Sequence, residues 1–291
     1  MKKVFFILVL LIPLLSFGQD QNLDELMERE TGNEKSYESA VFKATRVING
    51  HSVEQMKAKH LDFRISHRFG ELNGGAYELF GLDQATIHLS FEYGINDWLM
   101  VGLGRSNLQK TYDGFVKLKL LKQTAGSNSI PVFLSYMGST ELISTKWADP
   151  ERDNLFSSRL TYVHQLLIAR KFNERLSLQL SPTLVHKNLT PTESDPNDLF
   201  SIGVSGRYKI SKRVSLNAEY FYTFRPEDAS VDYKNALSIG VDIETGGHVF
   251  QIMLTNAQAM REGGFIWGTN NHNWSDGGIH LGFNISRVFA F

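Results

Sequence analysis

Residues 84–106 read QATIHLSFEYGINDWLMVGLGRS. Ala85, Ile87, Leu89, Phe91, Tyr93 and Ile95 fall on one parity, and Thr86, His88, Ser90 and Glu92 fall on the other. Successive side chains of a strand point to opposite faces, so this run predicts a strand with one apolar and one polar face. Asn96-Asp97 then supplies a tight turn, and Trp98 to Ser106 alternates again. The stretch is a hairpin, and a helix would need its apolar residues three and four apart instead.

The same pattern recurs along the chain. In FSIGVSGRYKI (200–210), Phe200, Ile202, Val204, Tyr208 and Ile210 oppose Ser201, Ser205, Arg207 and Lys209. In RVSLNAEYFYTF (213–224), Val214, Leu216, Ala218, Tyr220 and Tyr222 oppose Ser215, Asn217 and Glu219. Twelve such runs are legible, near 59–69, 83–95, 98–107, 112–122, 130–139, 157–171, 174–187, 198–210, 213–224, 233–244, 248–257 and 277–290. Most exceed the soluble-strand norm of about 5–6 residues and reach the roughly 9–11 that a tilted membrane strand needs. Short connections alternate with longer polar ones, and aromatic residues gather near both ends of the runs. These features together predict an all-β fold, a transmembrane antiparallel up-and-down β-barrel over 58–291. The short turns are expected on the periplasmic side and the long loops outside. A soluble sandwich would not place its long loops on one side.

One segment leaves the strand number open. VFKATRVING (41–50) also alternates, and a thirteenth strand breaks the even number expected of a bacterial single-chain barrel. Twelve strands follow if it lies in the lumen. Fourteen follow if it pairs with a further strand around GFIWG (264–268).

Composition constrains the compartment. Lys2 and Lys3, the apolar run Val4–Leu15 and the small Ser16 and Gly18 read as a cleaved secretory signal over 1–18. Residues 19–57 are then a periplasmic N-terminal segment, holding a short helix or a lumen insert. There is no cysteine, which excludes disulfides, thiolate metal sites and covalent haem. Past residue 18, 28 basic residues stand against 31 acidic ones, a net of −3 that gives no footprint for nucleic acid.

Residues 42–106, opening FKATRVINGHSVEQMKAKHLDFRISHRFG, resemble an uncharacterised outer-membrane β-barrel family of Bacteroidota, a domain of unknown function. GGHVFQIMLTNAQAM (246–260), GGFIWGT (263–269) and GFNISRVF (282–289) carry the same resemblance. It implies a fold and a compartment, and brings no catalytic residues.

The polar parity nominates lumen-lining residues of both signs: His88, Glu92, Lys117, Lys119, Arg159, Arg175, Arg207, Lys209, Glu219, Asp242 and Glu244. Such a lining fits a water-filled pore for a small polar solute, and equally a filled interior satisfied by ion pairs. The long loop 257–276 offers Phe265, Trp267 and Trp274 as stacking residues for a ligand. Nine histidines are present without an HExxH pattern, so no metal, cofactor or enzymatic activity is assigned. His164 shares parity with lipid-facing Leu166, for which a strand bulge is the expected explanation. The sequence reads as a passive channel of unknown substrate or, alternatively, a non-conducting scaffold for another envelope protein.

The chain ends inside an alternating run, with Phe289 and Phe291 placed as a signal for the outer-membrane assembly machinery. Arg287 sits on the apolar face four residues from that end, where a lipid-facing Arg costs about 0–1 kcal/mol rather than roughly 2–4 at the midplane. Deleting Phe291 should therefore impair assembly and Arg287→Leu should not, as read by heat-modifiable gel migration of the membrane fraction.

Overall fold

The computed structural model describes residues 36–291 apart from 127, 148 and 269–271. The expected signal, and all of the 19–57 segment before residue 36, lie outside the described residues. Twelve strands form one closed barrel: β1 (His60–Glu71), β2 (Ala85–Gly94), β3 (Leu99–Ser106), β4 (Thr111–Leu121), β5 (Phe133–Ile143), β6 (Leu160–Lys171), β7 (Leu176–Lys187), β8 (Asp198–Lys209), β9 (Val214–Phe224), β10 (Ala236–Thr245), β11 (His248–Thr255) and β12 (His280–Ala290). Each pairs antiparallel with its sequence neighbours. Closure comes from β12 against β1, with Ile285 opposite Ile65 and Ala290 opposite His60. No strand edge is left in the ring, which is what a sheet surrounded by lipid requires.

The short turns are built locally. The Asn96 side-chain oxygen accepts from the amides of Trp98 and Leu99, at 3.0 and 2.8 Å. Asn173 repeats this with Arg175 and Leu176, both at 2.8 Å, and Ser211 with Arg213 and Val214. These side chains reverse the chain by binding backbone two and three residues on. Between β10 and β11, Gly246 and Gly247 take φ of 33° and 101°, values that glycine adopts without strain.

Outward parity is apolar. Leu103 (71% exposed), Phe91, Val116, Leu180, Val204, Leu216, Ile239 and Ile252 lie on the outer surface. An apolar belt this extensive on a folded chain is a membrane-facing surface. Exposed Trp98, Phe172, Tyr208, Phe289 and Phe291 mark the short-turn end, and Tyr112, Phe200, Tyr220, Tyr222 and Phe224 the long-loop end. Tyr136 departs from this girdle. It sits midway along β5, where its hydroxyl and His164 Nδ1 are 2.6 Å apart. β5 and β6 pair without a register shift, so His164 faces outward on an unbroken strand and the bulge explanation is corrected.

Residues 41–57 are not a thirteenth strand. They enter from the short-turn end and fold back inside the barrel, with Arg46 bridging His51 and the Val47 amide donating to the Gly50 carbonyl at 2.9 Å. Residues 264–268 likewise form no strand; Glu262–Trp267 is a short helix, α1, whose residues are all buried. The stem of the insert crosses β2 at Gly94, where a Cβ would meet the Lys57 carbonyl oxygen at 2.1 Å. Gly94→Val should therefore cost at least the roughly 1–3 kcal/mol of an overpacked site, because backbone rather than a movable side chain blocks it. Urea unfolding in detergent micelles, followed by tryptophan fluorescence, measures this.

Candidate functional site

A twelve-stranded ring is wider than the roughly eight strands at which wall side chains fill the interior themselves. Here the extra space is filled by two segments from opposite ends. Residues 41–54 rise from the short-turn end, and 256–268 descend from the long-loop end. We call the first the plug.

Most of the plug has no regular secondary structure, so its amides and carbonyls need partners. The wall supplies them through side chains. The Glu219 carboxylate on β9 accepts from the amides of Ile48 (3.3 Å), Asn49 (2.8 Å) and Gly50 (3.2 Å). Lys117 on β4 donates to the carbonyls of Thr45 (3.2 Å), Ser52 (3.0 Å) and Glu54 (3.0 Å). Gln179 on β7 accepts from the Val53 amide and donates to the His51 carbonyl, both at 2.8 Å. Gln251 and Asn284 donate to the carbonyls of Val47 and Ile48, at 2.8 and 3.0 Å.

Charges inside meet either an opposite charge or polar oxygens and amides. Arg64 donates to Asp62 (2.8 Å) and to Thr45 Oγ1 (2.7 Å), and Thr45 in turn donates to Glu92. Arg68 donates to Asn49 Oδ1 at 2.7 Å, while the Asn49 amide group reaches Ser238 at 2.9 Å. His88 meets Asp113 at 2.8 Å. Arg46 lies 3.7 Å from Glu92 and 3.3 Å from Glu262. Arg64, Arg68 and Lys117 are 1%, 0% and 0% exposed. A buried charge stripped of its partner is destabilising by roughly 3–5 kcal/mol, so these contacts fix the plug's position more than they add net stability.

The descending segment uses the same devices. Arg261 pairs with Glu141, which also accepts from the Gly263 amide at 2.7 Å. Glu262 accepts from the plug's His51 amide at 2.9 Å, joining the two inserts at mid-lumen. The helix α1 packs on β6 and β7, where Val163, Leu167, Ala169 and Val185 point inward and are buried.

Of the nominated lining residues, His88, Glu92, Lys117, Arg207, Glu219 and Asp242 are buried in the lumen. The other five lie at its ends. Lys119 donates to the Asp97 carbonyl in the turn before β3, at 2.9 Å, and Lys209 ends β8. Arg175 is exposed in the β6–β7 turn and is not a lining residue, because the strand begins only at Leu176. Arg159 precedes β6, donating to the Ile143 and Thr145 carbonyls over the Trp147 ring. Glu244 pairs with Lys43 where the plug enters.

The three loop aromatics separate. Phe265 (1% exposed) packs edge-on against Phe221 at 4.9 Å, and Trp267 (6%) lies beneath Lys187, so both are interior packing and offer no stacking face. Trp274 stays at the rim, donating to the Leu237 carbonyl at 3.0 Å beside a crevice of about 680 Å³.

Asp62, Arg64, Arg68, Glu141 and Asn284 are further site residues that obey the same alternation and are legible on that ground. Arg46, Asn49 and Arg261 lie on irregular backbone and Glu262 opens the short helix α1, so the strand alternation does not place them. Among the described residues no group of three His, Asp or Glu side chains could hold a metal ion.

Above the rim the loops tie to one another. Asp195 accepts from the Ser230 hydroxyl (2.6 Å) and amide (2.9 Å) and from Thr192 (2.8 Å), which hold its carboxyl down to about 2. His272 bonds Glu71 at 2.9 Å, which raises the imidazole above its ordinary value.

Residues 42–289 match the membrane bound beta barrel domain family DUF5777. The chain belongs to that family. No curated protein matches it in sequence. Among solved structures it is similar to the NanC porin, with 11% identity, a TM-score of 0.51, and 79% of this chain and 99% of that one covered. An outer membrane channel from Pseudomonas putida F1 aligns at 13% identity and a TM-score of 0.48, over 81% of this chain and 97% of that one. At such identities the likeness concerns the fold.

Glu219 is the most heavily used wall acceptor. Glu219→Ala leaves three buried amides without a partner at about 1–3 kcal/mol each. Hydrogen exchange at residues 48–50 should accelerate by at least tenfold while the amides of β9 stay protected.

Proposed function

We propose that the protein is a small-solute channel of the outer membrane, held shut by its own plug. The short turns and the plug's point of entry face the periplasm, and the long loops face outward. The observation that carries this reading is how the lumen is filled. The wall grips the inserted plug through polar side chains directed at its backbone. Withdrawing the plug would leave Glu219, Lys117, Gln179 and Arg68 facing water, a lining on which hydrated solutes can move. A barrel serving only as a scaffold needs no polar wall behind its filling, because an apolar interior would be cheaper to bury.

The non-conducting alternative rests on the clasp of Arg46 and the His51 amide on Glu262, which locks both inserts together. Planar-bilayer recording separates the two readings. The wild-type protein should conduct rarely. A full-length Arg46→Ala/Asn49→Ala variant, which cuts plug side-chain contacts and leaves the wall intact, should show long-lived steps. Folded protein of both kinds that never conducts, across several salts, would establish the scaffold reading instead.

A further inference from the structure

The wall contacts have a chemical pattern that ordinary packing does not require. Carboxylate, ammonium and carboxamide groups from five strands converge on the main chain of one peptide segment. Glu219 takes three successive amides, and Lys117 takes three carbonyls. Gln179 both accepts from and donates to the backbone of residues 51–53, the two-point contact by which a carboxamide reads an extended peptide. Gln251 and Asn284 read two adjacent carbonyls of the turn, and Arg207 donates to the Val41 carbonyl at 3.1 Å. None of these contacts depends on which side chain the plug carries.

We propose that the lumen wall is a peptide-binding surface, that the plug occupies it as a built-in pseudo-ligand, and that the solutes admitted are short peptides. The inference rests on the channel reading and names its substrate class. An incoming peptide presents the same amides and carbonyls that the plug presents, and so exchanges for it bond by bond. The facing charges suit a zwitterion: Glu219 stands ready for an ammonium group, and Lys117 and Arg207 for a carboxylate. A neutral sugar offers hydroxyls in place of the amide–carbonyl repeat and has no such exchange available.

The test uses the full-length Arg46→Ala/Asn49→Ala protein in planar bilayers with four probes on the periplasmic side. These are the peptide VFKATRVINGHSVE, a scrambled peptide of the same residues, the first peptide with N-methylated backbone, and a linear oligosaccharide of similar mass. Both unmodified peptides should interrupt the current at concentrations within about tenfold of each other, since the shared contacts are to backbone. The N-methylated peptide and the oligosaccharide should need at least about tenfold more, and Glu219→Gln should weaken the peptide block by about tenfold. Block by the native peptide alone, or by the oligosaccharide equally, overturns the proposal.

If no variant conducts, the channel reading fails, and the peptide surface is judged separately by hydrogen exchange of the wild-type plug. Faster exchange at residues 45–53 with excess scrambled peptide sustains it, and unchanged exchange refutes it.

Discussion

The structure turns on one requirement: peptide backbone placed inside a membrane barrel must have every amide and carbonyl bonded. The ring meets it strand to strand. The plug meets it partly within itself, through Val47 with Gly50, Ser52 with Thr45 and the Glu54 carboxylate with the Val41 and Phe42 amides, and otherwise through the side chains of Glu219, Lys117, Gln179, Gln251 and Asn284. The polar parity of the strands is therefore more than a consequence of alternation. It is a set of donors and acceptors laid out against one particular irregular path of chain.

The same requirement explains the charges. Arg64, Arg68 and Lys117 are desolvated, and each lies against a carboxylate, an amide oxygen or a group of carbonyls. Arg46 bridges Glu92 of the wall and Glu262 of the descending segment, so the plug's electrostatic partners belong partly to the wall and partly to the opposing insert. Closure from the two ends is thereby coupled: moving either insert unpairs a charge on the other.

The ring was legible because a period of two repeated twelve times leaves few alternatives. The alternation in ATIHLSFEYG and VSLNAEYFYTF states which side chains face lipid and which face inward. It failed at strand ends, where Arg159 and Arg175 keep a consistent parity beyond the last paired residue. It was ambiguous for the inserts, since residues 41–50 alternate yet form no barrel strand, and Glu262 opens a six-residue helix too short to show a period. β6 held a clue of another kind. Val163, Leu167 and Ala169 are apolar on the parity that should be polar, as expected of a strand covered on both faces, and α1 is what covers the inner one. His164, outward among apolar neighbours, looked like a fault in register and is instead satisfied by the Tyr136 hydroxyl.

A segment with little secondary structure of its own should then be held as firmly as the barrel wall. Residue-resolved hydrogen exchange of the wild-type protein in detergent measures this directly. The amides of Ile48, Asn49, Gly50, His51 and Val53 should be protected to a degree comparable with those of β9 and β7. Exchange of these five amides at the rate of the outer loops, with the strands still protected, would show that the wall does not hold the plug.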